Sequence, residues 1–151
     1  IFLCILIIHS QTGIIINNKS YIPKWDNTFE LIDWTQLQNP LQKVIKNLDN
    51  NEGIRLAAFT WTEAGQISTL MNNKHEIIII EGDAHHFQFM KKTNQKKPTI
   101  LVKLVLGTKP DTVSILNRLK VFDNNAQHIN NIIIKRGNRD YATASIFLFN
   151  Q

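Results

Sequence analysis

Four consecutive isoleucines, Ile77 to Ile80, stand between Glu76 and Glu81. β-Branched side chains favour strands, and a run that is apolar at every position suits a central parallel strand covered on both faces. A second run, Ile54 to Trp61, precedes it, bounded by Gly53 and by the capping-box pattern Thr60-x-x-Glu63. The helix that this box opens carries Ile67, Leu70 and Met71. Strand, helix and strand in this order predict a parallel crossover, with Ile54 to Thr60 lying beside Glu76 to Ile80.

Further elements extend the pattern. Asn39-Pro40 is a good helix start, because Asn caps and Pro fits the first helical position; Leu41, Val44, Ile45 and Leu48 follow at helical spacing. Pro110-Asp111 opens another helix with Val113, Leu116 and Leu119 inward. His86 to Met90 and Thr99 to Leu106 read as strands joined by a basic turn, and Ile132 to Ile134 and Ala142 to Phe149 as a hairpin about Arg136 to Arg139. The segment from Trp25 to Trp34 has no clean period. The expected fold is α/β: one domain with a mixed, mostly parallel central sheet flanked by helices.

With 151 residues and 43% hydrophobic content, the chain is long enough to bury a core without a disulfide or metal staple. Its single cysteine, Cys4, agrees: no internal disulfide and no cysteine-rich zinc site can form, and no cofactor is implied. A surplus of 17 Lys and Arg over 12 Asp and Glu gives a net charge of +5, which favours phosphate-bearing partners. The Ile, Asn and Lys runs at Ile14 to Lys19 and Ile132 to Lys135 show a compositional bias that raises lysine content whatever the function. Residues 1–18 begin with eight apolar residues, too few to cross a bilayer. They read as a truncated secretory signal, implying a secreted or periplasmic protein, or as a strand paired with Gly13 to Ile16. Residues 19–151 form the domain.

Three features bear on chemistry. Asp83, His85 and His86 have the residue types of metal ligands, but no second cluster supplies the remaining positions, so no metal is expected. Lys91, Lys92, Lys96 and Lys97 form a basic turn able to contact nucleic acid or another anionic surface. Third, His128 precedes an apolar strand and Ser145 lies near the end of the next, so an imidazole and a hydroxyl sit on neighbouring strand ends, an arrangement that can hold a phosphate.

From Tyr21 onward the chain resembles the phospholipase D superfamily, in particular its small members with one motif copy. Tyr21 and Pro23, the helix from Pro40 to Leu48, the strand Ile54 to Trp61, the helix opening at Thr62-Glu63 and the strand Glu76 to Glu81 follow the family's order, with an insertion around His86 to Leu106. The family motif is HxKxxxxD followed by GSxN, in which the histidine is the nucleophile, Lys and Asn hold the phosphate and Asp orients a histidine. His128 matches the histidine; Asn130 stands at the Lys position, Lys135 at the Asp position, and Ala144-Ser145-Ile146-Phe147 replaces Gly-Ser-x-Asn. Placing the histidine at His86 puts Gln88 at the Lys position and finds no following Asp or GSxN.

The resemblance implies a phosphodiesterase of nucleic acid or phospholipid, with His128 catalytic and Asn130 and Ser145 at the phosphate. It also implies a homodimer, since two motif copies make one site. The missing charge implies a degenerate enzyme, because removing one oxyanion donor typically costs about 10²–10³ in rate. Lys135 lies more than about 13 Å along a strand from Asn130 and cannot substitute. The other readings are a non-catalytic nucleic-acid-binding module and a structural interaction domain.

Overall fold

The computed structural model describes residues 3–5, 7–8, 32–48, 53–81, 97–107 and 109–150. Within them the chain forms a short 3-10 turn (Trp34–Leu37), α1 (Gln38–Leu48), β1 (Arg55–Ala58), α2 (Trp61–Leu70), β2 (Ile77–Ile79), β3 (Pro98–Leu106), α3 (Thr112–Leu119), β4 (Gln127–Arg136) and β5 (Arg139–Asn150). The five strands make one sheet in the order β2-β1-β3-β5-β4. The α/β expectation holds, and β1 and β2 are adjacent and parallel across the α2 crossover, with Leu56 opposite Ile77 and Ala58 opposite Ile79.

The sheet is mixed rather than mostly parallel. β1 is parallel to β2 and β3, but β5 is antiparallel to both β3 and β4, and these two antiparallel ladders are the longer ones. The cause is the C-terminal hairpin, whose second strand inserts between β3 and β4. Its loop is Gly137-Asn138, and Gly137 supplies the positive φ (61°) that a two-residue hairpin loop requires.

Helices cover both faces. On one, Leu41 and Ile45 of α1 and Ala64, Ile67 and Leu70 of α2 pack on Leu56, Ile100, Val102, Ala144 and Ile146. On the other, Ile115 and Leu119 of α3 meet Ala57, Phe59, Leu101, Phe147 and Phe149. β2 lies at the edge of the described sheet, not at its centre. Its isoleucines still serve both faces, Ile77 and Ile79 packing in the first layer and Ile78 and Ile80 against the second.

Three local expectations need correction. The first helix begins earlier than Asn39-Pro40: Asp33 caps the 3-10 turn by accepting from Thr35 N (3.0 Å), and the turn runs straight into α1. Pro40 is tolerated because the first-turn N–H groups have no intrahelical partner. In α3 Leu119 and the half-buried Leu116 face inward as expected, joined by Ile115 rather than Val113, which is 66% exposed. Leu3–Ile5 and Ile7–Ile8 are helical, which excludes the strand reading of that segment. Among the described residues no helix is long and apolar enough to cross a membrane.

β1 accompanies β3 only from Thr99 to Leu101, which leaves the edge of β3 beyond that point open. Glu63, buried in the first turn of α2, fills it. Its Oε1 accepts from Lys103 Nζ (2.9 Å) and from Leu104 N (3.4 Å), while Thr60 Oγ1 donates to Oε2 (3.2 Å) and accepts from Glu63 N (3.3 Å). One carboxylate thus completes a capping box, an ion pair and a sheet edge. Glu63→Ala is expected to destabilise by about 1–3 kcal/mol, since Leu104 N and Lys103 lose their acceptor. The urea midpoint should fall with an unchanged slope, and Glu63→Gln should recover part of the loss.

Candidate functional site

His128 is the second residue of β4, and what surrounds it is decided by an irregularity one residue later. His128 is in register with Phe147 and Asn130 with Ile146, so the pairing slips by one residue at Ile129. In a regular strand residues i and i+2 share a face. The bulge breaks that rule: His128 joins the face of Phe147, while Asn130 falls in register with Ile146, whose side chain belongs to the opposite core layer. The same slip carries Asn131, opposite Ser145, onto the side of His128.

The resulting cluster is small and closed. His128 Nε2 lies 2.9 Å from Asn131 Oδ1, and Ser145 Oγ donates to the same oxygen at 2.8 Å. An amide oxygen only accepts, so Nε2 must carry its hydrogen and donate it. The lone pair of the neutral ring then sits on Nδ1, the nitrogen next to the side chain's own Cβ attachment. The imidazole also rests on the Phe147 ring, centroids 5.2 Å apart and planes tilted by 57°. Ser145 is fully buried.

The expected trio is therefore divided. His128 and Ser145 are brought together, through Asn131 rather than by direct contact. Asn130 is not with them; its Oδ1 accepts from the backbone N–H of Asn131 (2.8 Å), which helps hold the bulge. Lys135 lies at the far end of β4, opposite Asp140, with its backbone N–H and C=O bonded to the side-chain amide of Gln36 at 2.9 Å each. Arg136 is buried at that same end, its guanidinium 5.0 Å from the Tyr141 ring centroid. Neither cation reaches His128.

Asn131 is the residue that reading the sequence missed. The sequence gives it little signal: β4 reads Gln-His-Ile-Asn-Asn-Ile-Ile-Ile-Lys-Arg, which does not alternate and so does not mark where the pairing slips. The start of β4 is in turn anchored by Asp123, whose Oδ2 accepts from Asn150 N (2.8 Å) and whose Oδ1 accepts from Asn125 N (2.8 Å).

The other expected residues fare differently. Lys91, Lys92 and Lys96, as well as Asp83, His85, His86, Tyr21 and Pro23, fall outside the described residues; Lys97 is half-buried at the start of β3. Among the described residues no group of three metal-ligating side chains exists.

Two charge pairs stand beside the carboxyl end of β1, near the customary ligand crevice of an α/β sheet. Lys103 is held by Glu63. Arg118 Nε donates to Glu81 Oε1 at 2.9 Å, and the Arg118 guanidinium lies 4.1 Å from the Phe59 ring centroid.

Compared with known proteins, the chain matches no family model, no curated protein and no solved structure.

If Asn131 latches the site as described, His128 should show a protected Nε2–H resonance by NMR that is lost in Asn131→Ala. That variant should also lose about 1–3 kcal/mol, because the buried Ser145 hydroxyl loses its acceptor. An unchanged imidazole resonance in Asn131→Ala would remove the latch.

Proposed function

We propose that this chain is a phospholipase D-like domain that no longer hydrolyses phosphodiesters and acts by binding a phosphate-bearing partner, nucleic acid being the partner that its charge favours. The order of strands and helices from β1 to β5 and the placement of His128 and Ser145 on neighbouring strands support the family reading. The observation that carries the loss of catalysis is the hydrogen bond from His128 Nε2 to Asn131.

A histidine nucleophile attacks a phosphodiester through a free nitrogen lone pair and needs positive charge at the phosphoryl oxygens. Here Nε2 is occupied as a donor, a phenyl ring stands where the family places its phosphate-holding Asn, and no cation among the described residues bonds to the cluster. Without hydrolysis there is no chemical need for two facing copies, so the homodimer ceases to be a requirement. Binding then rests on the net charge of +5 and on the lysines from Lys91 to Lys97.

Two measurements test this. Turnover of bis(p-nitrophenyl) phosphate should be at background and unchanged in His128→Ala. It should stay there in Asn130→Lys, because the new ammonium would project from the wrong face of β4. Restored turnover in Asn130→Lys, or wild-type turnover abolished by His128→Ala, would overturn the reading. Binding of a labelled oligonucleotide should weaken about tenfold between 50 and 200 mM salt for roughly two phosphate contacts. It should drop further when Lys91, Lys92, Lys96 and Lys97 are all replaced by Ala.

A further inference from the structure

On the side of the sheet away from His128, α1 and the turn leading from α2 to β2 border an open pocket of about 390 Å³. Its lining is one-sided in charge. Lys46, Lys74 and His75 stand around it with the amides of Gln42 and Asn72, and no carboxylate is among its described lining residues. Neither lysine is engaged in an ion pair among the described residues. The floor is apolar, built from the buried Ile45 and Met71.

His75 is oriented by its backbone surroundings: Nδ1 lies 3.3 Å from the carbonyl oxygen of Ile54, which can only accept, so Nδ1 donates, and Nε2 donates to an anion only when the ring carries its second proton. The turn that presents Asn72, Lys74 and His75 is held in a costly shape. Asn72 and Asn73 both have φ of 55°, a region that Asn tolerates better than other side-chain-bearing residues. Asn73 N bonds Ser68 O (2.9 Å), and Ser68 Oγ bonds Asn73 Oδ1 (2.7 Å), fixing that conformation.

Asn72 is shared with a second cavity of about 250 Å³ lined by Trp34, Gln38, Gln66 and Thr69. There the indole Nε1–H of Trp34 is buried and has no hydrogen-bond acceptor among the described residues. A buried donor without a partner is uncommon and costs about 1–3 kcal/mol. The two pockets, which share Asn72, thus offer cations on one side and, on the other, neutral amides and an aromatic N–H without an acceptor among the described residues.

We propose that the two pockets together bind a small phosphomonoester, with the phosphate on Lys46, Lys74 and His75 and a polar body of nucleoside size reaching past Asn72 toward Trp34. A dianion matches two lysines and an imidazolium, the form of His75 in which Nε2 also donates. The larger pocket falls within the size range of ordinary small-molecule sites. The inference is independent of the reading of His128, since none of its residues lies on β4 or β5.

Titration of the full chain by calorimetry and by ¹⁵N chemical shifts, with adenosine 5′-monophosphate, adenosine and inorganic phosphate as probes, decides it. The monophosphate should bind, with shifts at Lys74 and His75 and at the Trp34 indole. Adenosine should bind at least tenfold more weakly, and phosphate should perturb only the cationic end. Lys46→Ala and Lys74→Ala should each weaken the monophosphate about tenfold, as expected for a charge-assisted contact. Trp34→Phe should weaken it severalfold while leaving phosphate binding alone. The fourfold lysine variant at Lys91 to Lys97 should bind it normally, which separates this site from the oligonucleotide surface. No binding of either anion at millimolar concentration, or binding untouched by the Lys46→Ala/Lys74→Ala pair, would overturn the proposal.

Discussion

The antiparallel ladder between β3 and β5 is the interaction on which the rest of the structure depends. It runs without interruption from Pro98 opposite Asn150 to Leu106 opposite Ala142. Because side chains alternate along a strand, this one strand pair contributes to both core layers: Ile100, Val102, Ala144 and Ile146 to one, Leu101, Phe147 and Phe149 to the other. β1 and β2 attach to its one side through a short parallel ladder, and β4 attaches to its other side. Neither attachment could place its helices without the rigid pair between them, and the ends are secured separately, by Asp123 on Asn150 at one end and by Thr143 Oγ1 on the Gly107 carbonyl (2.7 Å) at the other.

Where that ladder is regular, the sequence is a good guide; where it has to be completed by side chains, it is not. The apolar runs Ile54 to Trp61 and Ile77 to Ile80 announce two parallel strands because both faces of the sheet are packed there, β1 being buried throughout and β2 buried or half-buried on either side. The capping box at Thr60 and Glu63 was equally readable, since its bonds are local. That Glu63 also serves Lys103 and Leu104, forty or more residues away, has no local signature. Sheet order was hidden for a similar reason. Nothing in the composition of β2 distinguishes an edge strand covered on both faces from a central one, and nothing local to β5 says that it will insert between β3 and β4.

The edge strand β4 shows how the fold manages exposed backbone. At Lys135 the side-chain amide of Gln36 both donates to the carbonyl and accepts from the N–H, imitating the next strand of the sheet. A bulge at Ile129 twists the other end of the same edge. Both devices oppose edge-to-edge pairing with another chain. The Gln36 bonds also tie the 3-10 turn at Trp34–Leu37 to the sheet, and Trp34 and Gln38 line a pocket together with Gln66, Thr69 and Leu70 of α2.

The bulge at Ile129 also bears most directly on chemistry, because it forces a choice between two arrangements. With the bulge, His128 packs on Phe147, Asn131 bonds both His128 and Ser145, and Asn130 points away. Straightening the strand while the hairpin holds Asn130 opposite Ile146 would slide His128 by one position and carry it to the face of Asn130, since a one-residue slip exchanges faces. His128 and residue 130 would then share a face, as a His-x-Lys motif requires, but the imidazole would leave both Phe147 and its acceptor Asn131, which would stay opposite Ser145. The local hydrogen bonds and the aromatic contact therefore favour the bulged strand, and the bulged strand separates the residues that phosphodiester chemistry would need together. Adding back a single charge at residue 130 addresses only the electrostatic half of that loss; the geometric half resides in the backbone.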